Sequence, residues 1–348
     1  MPIASPKMQV GTQSWNAVRA TCAPQPQRVL RARALLGAVL LAAAQVAGAA
    51  PTSATPASVA PASATPAPEQ TSAAGLPTLD ASTSLLVVSP HPDDETLCCA
   101  GVIRRVLAAG GHVSVVWITS GDGSTLSMLF TEKSVFNPVD KVHDLAGKRM
   151  LEARTATGIL GVNPTQQYFL GYPDGGIQEL LTTHRSSPLP AKFTGETHVP
   201  YSNALFPGHP YTGDSLEKDF EAVLERAQPN LILAPSPMDT HPDHASSGAL
   251  TRSVLTRRGE LAKARYWIVH GGEGWPSPRS YMPDIPLTTP PRGVGLQAQE
   301  FTLTDAEVDI KHEAVEAYHT QTQFMAPFLL AFVRTSELYS ALPVPEGR

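Results

Sequence analysis

The chain has 348 residues, 42% of them hydrophobic and 16% charged, with 33 prolines and a formal net charge of −5. That length allows two domains at most and a sizeable core. Residues 1–68 carry five basic residues and no acid, so the remainder sets 21 basic residues against 31 acidic ones, a net charge of −10, which argues against a phosphate-backbone partner and fits a neutral or cationic small substrate.

In chain order, Arg28, Arg31 and Arg33 precede the apolar run Ala34–Ala44, and Ala47-Gly48-Ala49 follows. A charged region, a short apolar stretch and a small-residue cleavage site together read as a signal peptide. The run is short for a membrane span. The expected body is therefore exported, periplasmic or secreted, the alternative being an anchor formed by an uncleaved leader. The 27 residues ahead of Arg28 are unusual for such a leader and place the expected true start near Val29. Residues 1–50 are thus read as leader. Residues 51–77 are an Ala/Pro/Ser/Thr tract too poor in large apolar residues to fold, and read as a linker. Residues 78–348 are the expected catalytic domain.

Within that domain strands alternate with helices. Leu85–Val88 predicts a buried strand that breaks at Ser89-Pro90, followed by a helix over about 95–109 that stops at Gly110-Gly111. Val113–Thr119 predicts a second strand, ending in a glycine-rich turn, and residues 141–160 predict a helix. Tyr168–Leu170 is a short third strand. Residues 177–213 read as a long irregular insertion of the kind that shapes a site or covers it. A helix over 215–227, a strand over 231–234, a helix to about Thr256 and a strand over 266–269 follow. A proline-rich loop covers about 271–300, and Thr304-Asp305-Ala306-Glu307 is a capping box opening a helix to about Thr320. The alternation predicts an α/β fold, Rossmann-like and three-layered, with a mainly parallel sheet and right-handed crossovers. Of the three cysteines, Cys22 falls in the leader. Cys98 and Cys99 read as small core residues that imply no disulfide framework.

Two segments share one pattern, a buried strand, a proline break, then His-Pro-Asp. The first gives His91, Asp93 and Asp94, the second His241, Asp243 and His244. Both lie at the C-terminal ends of parallel strands, the edge where open α/β sheets bind ligands. Two imidazoles and a carboxylate make a three-ligand set for zinc with a fourth position open. His91 and Asp94, three apart across a strand-to-helix turn, can point at one ion. Asp93 between them can face the water, His244 can complete the set, and His241 is then free to act on a substrate. Asp243 can orient a histidine from behind. The plainer readings are an N-cap for Asp93 and helix-dipole acids for Asp94 and Glu95. His-Pro-Asp-Asp stands where a nucleotide-binding Gly-x-Gly-x-x-Gly would have to be.

His91-Pro-Asp-Asp-Glu95 together with His241-Pro-Asp-His244 resembles the LmbE-like, or PIG-L, family of zinc-dependent N-acetylglucosaminyl de-N-acetylases. The resemblance extends over about 80–325. It includes Arg149-Met-Leu-Glu152 leading to Leu160-Gly161, the loop Leu170-Gly-Tyr-Pro-Asp174-Gly175, and more loosely Lys311 with His319-Thr-Gln321. It implies one zinc ion held by His91, Asp94 and His244, with Asp93 as general base. It implies that His241 stabilises the oxyanion or protonates the leaving amine, steadied by Asp243. Arg149 is carried over as a contact to substrate or to the acidic cluster, against an ordinary surface pair with Glu152. Asp174 is carried over as a ligand of a sugar hydroxyl, against a turn aspartate. The implied substrate is an N-acetyl amino sugar or a glycan bearing one. The competing readings are a zinc amidase for a non-sugar amide and a catalytically silent sugar-binding protein. The family often has glycine where Cys98 and Ala100 stand, and the 177–213 and 271–300 loops match nothing in it.

Overall fold

Leu85, Leu86, Val87 and Val88 form the centre of the molecule because a continuous run of branched apolar residues suits a strand covered on both faces. The computed structural model describes residues 75–124, 132 and 139–345. The leader, Cys22 and most of the linker lie outside the described residues. Five strands make one sheet: β1 (Ser84–Ser89), β2 (His112–Thr119), β3 (Gln167–Tyr172), β4 (Leu231–Pro235) and β5 (Ala264–Trp267). They run in the order β3-β2-β1-β4-β5, every neighbouring pair parallel.

The helices are α1 (Asp94–Ala108), α2 (Val139–Ile159), α3 (Ile177–Leu181), α4 (Gly213–Ala227), α5 (Pro242–Arg258), α6 (Asp305–Glu316) and α7 (His319–Leu329). α1, α2 and α6 pack together, as separately do α3, α4 and α5. Right-handed crossovers require this division. The chain moves outward through β2 and β3 on one side of β1, and through β4 and β5 on the other, so the two sets of helices cover opposite faces. The order reverses between β1 and β4. Their carboxyl ends flank the switch point where such sheets open a crevice, and each of these two ends carries one of the histidine motifs. Among the described residues no helix is long and apolar enough to cross a membrane.

The expected strands and helices are present with ends shifted by a few residues. The capping box at Thr304 is formed, the Thr304 hydroxyl accepting from Glu307 N–H while the Glu307 carboxylate accepts from Thr304 N–H. Four features differ from expectation, the first being that the 177–213 insertion, expected to be irregular, opens with the short helix α3. The last predicted helix ends at Glu316, and a separate helix, α7, starts at His319 after a break at Tyr318 (φ −83°, ψ 62°). A two-stranded antiparallel sheet, β6 (Gln299–Thr302) with β7 (Ser336–Tyr339), lies outside the main sheet. Cys98 and Cys99 are buried as expected but bonded to each other. Being adjacent, the pair closes no loop and cross-links no separate segments.

Lys311 does not reach the site. Its Nζ donates to the Leu97 carbonyl and to Glu337, both at 2.8 Å. Glu337 also accepts from the N–H groups of Gly101 and Val102. This buried pair ties α6 and β7 to the middle of α1, and so fixes the helix whose first turn carries the first motif.

Candidate metal centre and active site

Three donor atoms meet at the sheet edge. His91 Nδ1 lies 3.2 Å from Asp94 Oδ2, His244 Nε2 lies 3.1 Å from the same oxygen, and the two nitrogens are 3.3 Å apart. All three side chains are buried. A tetrahedral ion with donors at about 2.0 Å has donor–donor edges of about 3.3 Å, so the residues present fit one such ion. The second nitrogen of each imidazole meets a carboxylate. His91 Nε2 is 3.2 Å from Asp243 and 3.3 Å from Asp174, and His244 Nδ1 is 3.3 Å from Asp239. Asp243 hydrogen-bonds His91 Nε2 and orients that ring, whereas Asp239 lies beside His244 Nδ1 without an aligned hydrogen bond. Burial works against charge here, but Asp94 and Asp239 outweigh it and hold His244 up to about 9. Asp94 is held well below the carboxylate range despite its burial by His244 and His91.

Asp93 stands apart from its neighbours. It adopts φ 133°, ψ −33°, a conformation that L-residues rarely take and that costs about 1–3 kcal/mol. Although it occupies the N-cap position of α1, its side chain makes no capping bond. Its carboxylate lines the cavity above the centre instead. Burial, and then Asp94, push that carboxyl up to about 8.

Arg149 braces the same turn. Its buried guanidinium donates to the carbonyls of Gly121 (2.9 Å) and Pro92 (2.8 Å) and lies 3.4 Å from the Asp93 carboxylate. Gly121 is at φ 66°, and a Cβ there would stand 2.1 Å from Arg149 Nη1, so the guanidinium needs glycine in that turn. Arg149 therefore makes no surface pair with Glu152, which accepts instead from the N–H and hydroxyl of Thr320.

In the second motif Pro242 opens α5, and His241 is its N-cap, with Nδ1 accepting the Asp243 N–H at 3.2 Å. A neutral His241 therefore carries its proton on Nε2, the other side of the ring. Burial, then the neighbouring His91 and His244, push His241 down to about 4. The sequence reading has the Asp243 side chain steadying His241. In the structure only its backbone does so. The carboxylate turns to His91 and accepts the N–H groups of Gly175 (2.7 Å) and Ile177 (3.2 Å), because those groups, at the end of β3 and the start of α3, face it across the sheet edge.

Asp174 does reach the centre. Besides His91 it accepts the Gly123 N–H at 3.1 Å, and its own N–H donates to Asp122. The Tyr201 hydroxyl donates to Asp122 at 2.8 Å, so the 177–213 insertion meets the site here as well as at Ile177.

The cavity over the centre has a volume of about 220 Å³. His91, Asp93, Asp94, Asp174 and His241 line its polar side, while Leu97, Val269, Met325 and Phe328 line an apolar side. Of the loosely resembling late segment, only Gln321 lines it. Lys311 lies in the core and His319 is exposed.

Sequence reasoning missed two neighbours of the centre. Asp239 accepts the N–H groups of His241, Val269 and His270 and so joins the β4 and β5 ends. His270 packs edge-on to His244 at 4.7 Å and is pushed down to about 3, by burial first and His244 second. Its signal was available, since it follows β5 at the same carboxyl edge.

The mainly parallel five-stranded sheet with its helices matches the α/β fold of LmbE-type deacetylase structures. The crystal structure of an antimicrobial A40926 pseudoaglycone deacetylase aligns with a TM-score of 0.50 at 18% identity, covering 74% of this chain and 96% of that one, and shows the fold. Residues 86–255 match the family described as PIG-L: GlcNAc-PI de-N-acetylase, and the chain carries a PIG-L (LmbE-like) domain. Among its relatives is a 1D-myo-inositol 2-acetamido-2-deoxy-alpha-D-glucopyranoside deacetylase of Mycobacterium sp. (strain KMS), 26% identical over 58% of this chain and 59% of the relative. Another is a diacetylchitobiose deacetylase of Thermococcus kodakarensis, 25% identical over 48% of this chain and 46% of the relative. The chain thus spans about three fifths or less of the length of these two relatives.

Proposed function

We propose that the protein is a metal-dependent deacetylase that hydrolyses the N-acetyl group of an N-acetylglucosamine-type sugar or glycoconjugate, releasing acetate and the free amine. The observation that carries this reading is the convergence of His91 Nδ1, Asp94 Oδ2 and His244 Nε2 within 3.1–3.3 Å, flanked by an Asp93 carboxylate that caps nothing. A zinc ion held by these three would supply Lewis acidity to the acetamide carbonyl and to the attacking water.

The chain's own residues have the following parts. Asp93, pushed up toward neutrality by burial and Asp94, takes the proton of the water and can pass it to the leaving amine. His241 offers its Nε2–H to the oxygen on which negative charge develops, and its low proton affinity keeps it a neutral donor. Arg149 holds Asp93 through its carboxylate and through the carbonyl beside it. Asp174, on the cavity wall, accepts a hydroxyl of the sugar. Asp243 holds the His91 imidazole in orientation, and Asp239 lies beside that of His244.

The names of the relatives support an amino-sugar substrate. The leader pattern supports an exported, periplasmic or secreted protein with a catalytic domain over 78–348, and membrane contact only through an uncleaved leader. The test is acetate release from N-acetylglucosamine, diacetylchitobiose and an N-acetylglucosaminyl lipid by the full chain, stripped of metal and reloaded with zinc, beside Asp93→Asn. Zinc-dependent release that the variant loses is the expected result. One bound zinc without release from any of the three would point instead to a non-sugar amide or to a binding protein. No bound zinc would refute the ligand assignment.

A further inference from the structure

Glu95 is a buried carboxylate that the chemistry above leaves unused. A helix-opening acid is ordinarily a surface residue that favours the helix dipole, yet Glu95 is fully enclosed and placed among neutral donors. Its Oε1 accepts from the Thr96 hydroxyl at 2.8 Å and from the Tyr318 hydroxyl. Its Oε2 accepts from Trp117 Nε1 at 2.8 Å, from the Ser89 hydroxyl at 3.3 Å and from the backbone N–H of Asp93 at 3.3 Å. Burying a carboxylate without a counter-ion is expensive. Glutamine in this place would keep a neutral oxygen on the N–H groups of Trp117 and Asp93 and turn its NH2 to the Thr96 and Tyr318 hydroxyls, which would have to change from donors to acceptors, so the charge-assisted grip on the Asp93 N–H would be lost. The donors come from the ends of β1 and β2, from α1 and from the residue ahead of α7, so Glu95 is held from several elements at once.

What this anchor grips is the N–H of Asp93, the residue at φ 133°. At a negative φ the Cα–Cβ bond of Asp93 would swing to another direction, and its carboxylate would leave its place above the centre. We propose that Glu95 is a positioning residue: fixed by Trp117 and Tyr318, it holds the Asp93 N–H and so keeps the Asp93 carboxylate aimed into the cavity. Arg149 grips the same turn from its other side, at the Pro92 carbonyl and the Asp93 carboxylate. The inference rests on the reading of Asp93 as the general base.

The test is a double-mutant cycle in the full zinc-loaded chain. Glu95→Gln and Tyr318→Phe are each made alone and in the Asp93→Asn background, with kcat, KM and bound zinc measured for all. Glu95→Gln is expected to lower kcat by about 10–100-fold, the scale of a misplacement near 1 Å, with KM within about twofold and zinc unchanged. Tyr318→Phe, which removes one hydroxyl, is expected to do the same more weakly. In the Asp93→Asn background either change should cost less than about twofold, because a residue that acts only through Asp93 has nothing left to position. Equal losses in both backgrounds, or a rise in KM with kcat held, would overturn the proposal and leave Glu95 a structural residue. Full turnover by Asp93→Asn would overturn the base assignment itself, a separate and recognisable result. A crystal structure of Glu95→Gln gives a readout free of activity, since Asp93 should relax to negative φ and an unmoved Asp93 would refute the idea. If Glu95→Gln does not fold, Tyr318→Phe carries the cycle alone, and an unchanged kcat there would refute the anchor.

Discussion

The two His-Pro-Asp motifs have nearly the same letters and opposite uses. In the first, the leading histidine and the second aspartate turn to the centre, and the aspartate between them stays free. In the second, the leading histidine stays free, the aspartate stands behind His91, and the trailing histidine turns to the centre. Backbone conformation makes the difference. Asp93 sits at φ 133°, whereas His241 is an extended N-cap at φ −78°, ψ 127°, with proline beginning the helix behind it. A strained turn sends a carboxylate into the cavity, and a relaxed capped turn presents an imidazole with its tautomer already set. The sheet then needs only to place the ends of β1 and β4 side by side.

If both motifs feed one ion, removing either ligand should have the largest effect of any single change. His244→Ala and Asp94→Asn should both abolish stoichiometric zinc and take turnover below detection, with metal content read by elemental analysis of the dialysed protein. A variant that kept one tightly bound zinc would separate the motifs and break the shared-centre reading. The free residues come next. Asp93→Asn should keep its zinc and lose about 10²–10⁴-fold in kcat, the scale of general base catalysis. His241→Ala should keep its zinc and lose about 10²–10³-fold, the scale of one oxyanion donor. Loss of zinc from either would mean that the free and liganding positions had been exchanged.

Much of this division is legible in the sequence. The spacing of His91 and Asp94 across a strand-to-helix break, and the repeat of the pattern after the Leu231–Ala234 run, point to three residues whose donor atoms the structure brings within 3.3 Å of one another. The behaviour of Asp243 is not legible. Its partners Gly175 and Ile177 are more than 60 residues away, and only the folded sheet edge brings their N–H groups to it. Glu95 reads locally as a dipole acid, because nothing nearby in sequence reveals that Trp117 and Tyr318 close over it. Helix α7 was missed for a related reason. Its apolar residues Met325 and Phe328 face the cavity as well as the core, so their spacing does not follow a single buried face.

The carboxylates behind His91 and His244 sharpen the comparison at a smaller scale. Asp243 supports the first motif's histidine, although it belongs to the second motif, and Asp239 supports the second motif's own. Asp243→Asn and Asp239→Asn should each weaken zinc by about 10–100-fold, as loss of a carboxylate beside a metal-binding histidine does, measured by competition with a chromogenic chelator. Asp243→Asn should leave the His241 contact intact, since that bond comes from the backbone. An Asp243→Asn protein with full zinc affinity and impaired turnover would restore the side-chain link to His241.

The smallest expected effect is on stability and depends on pH. In the chelated protein His91 and His244 are raised above the ordinary histidine range, His244 to about 9, as neighbouring carboxylates outweigh burial. A raised histidine contributes stability that is complete below about pH 6.5 and is lost as pH climbs through its folded value. Asp93, pushed up to about 8, acts in the same direction, because the folded protein holds that proton more tightly than the unfolded chain does. His241 and His270, pushed down to about 4 and 3, oppose this only at more acid pH. From pH 6.5 to 8 the chelated protein should therefore melt at progressively lower temperature, by about 2–4 °C for each kcal/mol lost. Zinc should reverse the slope, because ligands must shed protons to bind it and higher pH favours the loaded state. Opposite slopes with and without zinc would mean that the raised protons of the two motifs and the ion compete for one place. A chelated protein whose melting temperature rose over that interval would break the link, and His91 and His244 would then be shown to fold neutral, without the protons that Asp94 and Asp239 hold on them.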